Sequence, residues 1–167
     1  MKATTDFPNK QVPCLELADG TKLGQSNAIL RFLGHKLGFY PADAMEAYKV
    51  DQLMDDFIDV IGKVYKPHFA QDKESMYPEI FDKVVPSFLA RIDERCAAGE
   101  FLVGKNLTCA DFYIGGLYTN YLANDNISFA KEQFAACLEK FPNFKAYGER
   151  YVAATQKWQT DRPKYGV

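Results

Sequence analysis

The stretch LADGTKLGQSNAILRFLG, Leu17 to Gly34, holds a turn, a strand end and a helix start with no linker between them. Asp19-Gly20 fits a tight reversal, because Gly accepts the positive φ such a turn needs. QVPCLEL before it (Gln11–Leu17) and TKLG after it (Thr21–Gly24) read as the two arms of a β-hairpin. Gly24, Gln25 and Ser26 then open an amphipathic helix over 26–38, with Ile29, Leu30, Phe32, Leu33 and Leu37 as its apolar positions and Gly38 as its stop. Unpaired backbone N–H groups, an amide and a hydroxyl are thus crowded at one helix N-terminus, where the dipole favours an anion.

Beyond this unit the pattern is helical almost to the end. Val50, Leu53, Met54, Phe57, Ile58, Ile61, Val64 and Tyr65 recur at helical spacing and predict a long helix over 43–66. Pro78 opens a helix over 78–98 that Pro86 should bend, and further helices fit 108–123, 129–140 and 142–153. The tail from 154 to 167 reads as irregular, with Trp158 and Tyr165 as packing anchors. The fold class is α+β and mostly α. It divides into a small hairpin–helix unit at 1–40 and an all-helical domain at 41–167.

Composition narrows the function. With 167 residues, 47% hydrophobic and 14% aromatic, the chain can bury a real core. A net charge of −2 gives no electrostatic case for nucleic acid or an anionic membrane. No apolar run reaches the roughly 18 residues of a membrane helix, and no signal peptide precedes the fold. Cys14, Cys96, Cys109 and Cys137 are scattered without a C-x-x-C pair. They read as reduced, mostly buried thiols of a cytoplasmic protein. His35 and His68 are isolated, so no metal cluster or Ser-His-Asp set is proposed, and no P-loop or dinucleotide fingerprint occurs.

Two devices read first as structure. LTCADF places Thr108 at a helix start with Asp111 three residues on, a capping box with an acidic partner. Pro13 stands at the first residue of a strand, where its missing N–H does least harm, and on residues alone its peptide bond is expected trans. Asp51, Asp55 and Asp59 form an acidic stripe at i, i+4 and i+8, which alone reads as solvated surface. DDFID, Asp55 to Asp59, also matches a magnesium-diphosphate motif. That motif needs a larger bundle and a second acidic partner, so the reading is set aside.

KQVPCLELADGTKLGQSNAILRFLG resembles the glutathione-binding half of the cytosolic glutathione transferases, which have a V-P strand, a D-G turn and a Q-S-x-A-I-x-R-[YF]-L helix in this order. GKNLTCADFYI is similar to the helix-start signature of that family's all-helical domain. LGFYPADAMEAYKVDQLMDDFIDV resembles the connection and first helix of that domain, as in the sigma, pi and alpha classes. The likeness runs from about Phe7 to Tyr151. It implies a thioredoxin-like unit, here partial, and glutathione as co-substrate without a metal. By the same resemblance Gln25 and Ser26 grip the γ-glutamyl carboxylate, and the Val12 backbone pairs with the cysteinyl unit ahead of a cis Pro13. Gln11 is a further contact, Lys2 a weak match for the glycyl-carboxylate lysine, and Asp59 reaches the glutamyl amine across a dimer. Tyr65 and Phe69 fall where the family draws its electrophile pocket, with plain packing as the other reading. The implied partners are a second copy or related subunit, glutathione and a small electrophile.

One departure bears on activity. The family's first β-α-β unit carries the Tyr, Ser or Cys that activates the glutathione thiol, and this sequence begins after the corresponding position. None of the ten Tyr residues matches that role, so no catalytic residue is assigned. Three expectations stand side by side: a glutathione transferase whose thiol activator lies outside this sequence, a non-catalytic assembly subunit, and a glutathione-binding module without turnover. The hairpin also leaves an apolar strand edge that needs a cover.

Overall fold

The hairpin turn is fixed by its own side chain. Asp19 accepts the Thr21 N–H at 2.9 Å, and Gly20 takes φ +84°. The arms β1 (Cys14–Glu16) and β2 (Lys22–Gly24) pair antiparallel with Leu15 opposite Leu23. The computed structural model describes residues 6–161. A 3-10 turn, Pro8–Lys10, precedes the hairpin and packs on β2: a Cβ on Gly24 would come within 2.9 Å of Pro8 Cβ.

Helix α1 (Ser26–Leu37) stops at Gly38, whose left-handed φ of +83° returns its N–H to the Gly34 carbonyl. Its apolar positions are less buried than their spacing predicts, for Phe32 is 36% and Leu37 61% exposed. Contact with the helical domain is made at Gly34, where any Cβ would collide with Cys109 Sγ. Cys109 in turn donates its thiol to the Leu30 carbonyl at 3.4 Å.

Helix α2 (Ala44–Val64) begins at Asp43, which accepts the Met45 and Glu46 N–H groups at 3.0 and 2.9 Å. It buries Val50, Leu53, Met54, Phe57, Val60 and Val64. The acidic stripe on its flank is not simply solvated. Asp51 accepts from Arg31 Nε of α1 at 2.6 Å and from the Tyr40 hydroxyl at 2.7 Å, while Asp55 meets the same guanidinium at 3.4 Å. Burial, then the Asp51 hydrogen bond, push the Tyr40 phenol up to about 12.

The helix expected over 78–98 starts as a π-helical turn, Glu79–Val84, and passes into α3 (Val85–Ala98). Pro86 therefore sits in the first turn of an α-helix, where its absent N–H is not required, directly after the wide π-helical turn. Helix α4 (Cys109–Leu117) likewise runs into a π-helical turn, Tyr118–Leu122. Then come α5 (Lys131–Leu138) and α6 (Pro142–Ala154). The tail is not irregular at 156–161: it forms α7 (Gln156–Asp161), which buries no residue and leaves Trp158 50% exposed. Tyr165 lies outside the described residues.

Helices α2, α3, α4 and α6 enclose the core, in which Phe88, Ile114, Phe134, Phe144 and Tyr147 are fully covered. Two glycines set the closeness of α4 and α6. A Cβ on Gly115 would meet the Tyr151 ring at 2.5 Å, and one on Gly148 would collide with the Tyr118 ring. Thr108 and Asp111 form the capping box. Asp111, wholly buried, accepts four donors: the Thr108 N–H at 2.8 Å, the Thr108 hydroxyl at 2.9 Å, the Leu102 N–H at 3.0 Å and the Tyr147 hydroxyl at 3.1 Å. Burial pushes its carboxyl up while the four donors pull it down. The architecture is the expected α+β one, a partial thioredoxin-like unit carried on an all-helical domain.

Candidate functional site

The hairpin delivers the start of α1 to the edge of a cleft of about 560 Å³ between α2 and α4. Gln25 occupies φ +71°, ψ +108°, a conformation rare for a residue with a Cβ. Holding it there costs on the order of 1–3 kcal/mol, and such outliers cluster at ligand sites. The reward is geometric: the chain turns from β2 into α1 within one residue. Gln25 and Ser26 stay exposed beside the helix's first N–H groups.

Val12–Pro13 is a cis peptide, as the resemblance implies and the residues alone did not. The β1 ladder begins at Cys14, so Val12 stands just outside it and is 56% exposed. Gln11 closes the preceding 3-10 turn, its N–H donating to the Pro8 carbonyl at 3.3 Å. Lys2 lies outside the described residues.

The cleft walls come from two helices. Ile58, Ile61 and Tyr65 are the members of the α2 apolar stripe that the core leaves uncovered, and all three face the cleft. Across from them stand Phe112, Tyr113, Gly116 and Asn120 on α4 and its π-helical extension. Tyr113 donates its hydroxyl to the Asn27 side-chain oxygen, which ties this wall to the helix start. Burial raises the Tyr113 phenol, and the nearby Ser26 hydroxyl opposes that. Sequence reasoning missed Asn27, Tyr113, Asn120 and Tyr121. For the last three the available signal was their place on the helix after the capping box, polar-tipped where plain apolar residues would complete a core; Asn27 directly follows the Gln25-Ser26 pair.

Two expected residues lie elsewhere. Phe69, on the 3-10 turn Lys66–Phe69, is 88% exposed and does not line the cleft, because the chain turns away after α2 ends. Asp59 is exposed on the opposite side of α2. There it borders a groove with Asp56, Lys63, Lys83 and Arg91, and it does not meet Gln25 or Ser26 within one protomer. Among the described residues, no cluster of three His, Cys, Asp or Glu is placed to hold a metal ion. Nor is any helix among them long and apolar enough to cross a membrane.

The chain thus combines a short hairpin, a polar helix start and an apolar cleft walled by a helical domain. Residues 55–156 match the family model for the glutathione S-transferase C-terminal domain. Probable glutathione S-transferase 7 of Caenorhabditis elegans is 32% identical over 174 residues, covering 98% of this chain and 78% of that protein. Glutathione S-transferase 1 of Ascaris suum is 31% identical over 94% of this chain and 76% of its own length. A solved structure of a monomeric glutathione S-transferase from the hookworm Necator americanus superposes with a TM-score of 0.81 at 30% identity, over 97% of this chain and 79% of that one. The chain belongs to the cytosolic glutathione S-transferase family.

Proposed function

We propose that this chain binds glutathione at the start of α1 and presents it to a soft electrophile in the α2–α4 cleft. The observation that carries this reading is Gln25. Its strained backbone sets exposed amide, hydroxyl and helix N–H groups at the border of an apolar cleft. In this reading Gln25 and Ser26 take the glutamyl carboxylate, the Val12 backbone takes the cysteinyl unit like an added strand, and Gln11 adds a side-chain contact. Tyr65 is part of the electrophile wall.

The described residues supply binding rather than thiol activation. The two phenols at the cleft floor, Tyr113 and Tyr121, are both pushed up by burial, and Tyr113 already donates to Asn27. The mixed-sign groove along α2 favours a two-fold pairing of copies, in which acids such as Asp56 and Asp59 meet the partner's bases. Asp59 reaches a neighbouring glutathione only in that pairing.

Titration calorimetry with glutathione tests the site. Binding that falls several-fold in both Ser26→Ala and Gln25→Ala supports the reading, and wild-type protein that takes up no glutathione overturns it. Robust conjugation of 1-chloro-2,4-dinitrobenzene by the 167-residue chain would instead place the activator within it.

A further inference from the structure

We infer that Tyr113 is a positioning residue of the glutathione site. From the helical domain its hydroxyl holds the Asn27 side chain, and so fixes the first turn of α1, where Gln25, Ser26 and the helix N–H groups receive the glutamyl carboxylate. The role rests on the glutathione reading above.

The first ground is the helix start itself. Helix α1 has no side-chain hydrogen bond at its N-cap, Gln25, and that residue stands at φ +71°. A start without a cap frays unless something else holds it. Asn27 is the next polar side chain along, and its oxygen could otherwise turn back onto the N–H groups that a carboxylate needs. Accepting the Tyr113 proton keeps that oxygen engaged elsewhere.

The second ground is leverage. Cys109 and Tyr113 lie one turn apart on one face of α4, and Asn27, Leu30 and Gly34 share one face of α1. Cys109 donates to the Leu30 carbonyl at 3.4 Å, and no Cβ fits between it and Gly34. Its own N–H reaches the Phe39 carbonyl at 2.9 Å, just past the helix end. On another flank, Arg31 meets Asp51 of α2 at 2.6 Å. The middle and C-terminal half of α1 are thereby pinned, and Tyr113 holds the opposite end. Ser26 lies eight positions before Gly34, about 12 Å along the axis at ~1.5 Å per residue. A pivot of about 5° at Gly34 therefore moves Ser26 by ~1 Å. That is enough to take a ~2.9 Å hydrogen bond out of its ordinary range.

The third ground is a rigid base. Tyr113 closely follows Asp111, which is wholly buried and gathers donors from Leu102, Thr108 and Tyr147. Its ring leans on Phe57 of α2, with centroids 5.3 Å apart. Burial also raises the phenol, so the proton given to Asn27 stays in place at neutral pH. The hydroxyl is a fixed peg.

The test compares two peptides on the full chain by calorimetry. One is glutathione and the other is 4-aminobutanoyl-cysteinylglycine, which lacks only the glutamyl α-carboxylate. Wild-type protein should prefer glutathione by about tenfold or more, the worth of a hydrogen bond to a charged group. Tyr113→Phe keeps the ring and removes only the hydroxyl. It should weaken glutathione about three- to tenfold and leave the truncated peptide unchanged. Asn27→Ala should do the same, and the double variant should lose no more than either alone. A merely structural role would lower the unfolding midpoint without moving the ratio between the peptides. An unchanged ratio in Tyr113→Phe, or equal weakening of both peptides, overturns the positioning role and leaves the glutathione site standing. Losses that add in the double variant overturn the route through Asn27. Wild-type protein that binds the two peptides equally, or neither, overturns the glutathione reading and this inference with it.

Discussion

Replacing Asp111 by Asn isolates the worth of the buried carboxylate that joins the capping box to α6. Oδ2 receives the Thr108 N–H and hydroxyl, and Oδ1 receives the Leu102 N–H and the Tyr147 hydroxyl. An amide has one accepting oxygen, so in either orientation its NH2 faces one of these pairs. The hydroxyl of that pair can rotate and accept, but the backbone N–H cannot. One buried N–H, of Thr108 or Leu102, is therefore stranded at a cost of about 1–3 kcal/mol. The surviving hydrogen bonds also lose their charge assistance, each falling from about 1.5–3 toward about 1 kcal/mol. The sum is about 3 kcal/mol, or about 6–12 °C in Tm for a chain of this size. Urea unfolding followed by far-UV circular dichroism should show a lower midpoint with an unchanged m-value. Tyr147→Phe alone should cost about 1 kcal/mol, and the two changes together should cost less than their sum, because they share one oxygen. A loss below about 1 kcal/mol for Asp111→Asn would falsify the stranded-donor account.

Gly148→Ala forces a methyl into the Tyr118 ring and should cost about 1–3 kcal/mol or more, read by the same urea titration. Arg31→Ala removes the partner of Asp51 and Asp55 but acts on half-exposed side chains, so it should cost only about 1 kcal/mol; no added salt dependence relative to wild type would count against an ionic origin. Burial pushes the thiols of Cys96 up to about 12 and of Cys109 up to about 11, and raises that of Cys137. At pH 8 these three stay protonated and covered, so Ellman's reagent should label half-buried Cys14 rapidly and the others only on unfolding. Sedimentation at micromolar concentration should return a dimer, and a loss of that dimer in Lys63→Glu would tie it to the α2 groove.

What was legible in the sequence was local. The D-G turn, the Q-S helix start and the Thr108–Asp111 cap each specify a conformation within four residues, and each forms where its residues sit. The long apolar stripe on α2 was legible too. Ile58, Ile61 and Tyr65 were already members of it, but only the placement of α4 divides the stripe into core and cleft. Asp51 and Asp55 read as surface because their partner, Arg31, comes from another helix. The π-helical turns escaped detection because Tyr118 and Phe81 keep apolar spacing through them. Helix α7 escaped because it buries nothing and so leaves no periodic trace. Phe69 follows the end of α2 on a 3-10 turn and does not line the cleft, a position that depends on how the chain leaves the helix and not on its periodicity.

The paired notches of α4 and α6 bear on how the cleft adapts to different guests. Tyr151 fills the space at Gly115 and Tyr118 fills the space at Gly148, so each helix carries both a ring and a groove for the other. Sliding or rolling either helix would have to withdraw two rings at once, so the pair behaves as one stiff plank. The cleft is thus a rigid rail on the α4 side, with Tyr113, Gly116 and Asn120 at fixed intervals like marks on a ruler. Accommodation falls to the opposite bank, where α2 ends, Tyr65 is half in solvent and only a 3-10 turn follows. Guests of different width should be met by movement of that bank, while their length is measured against a scale that does not move.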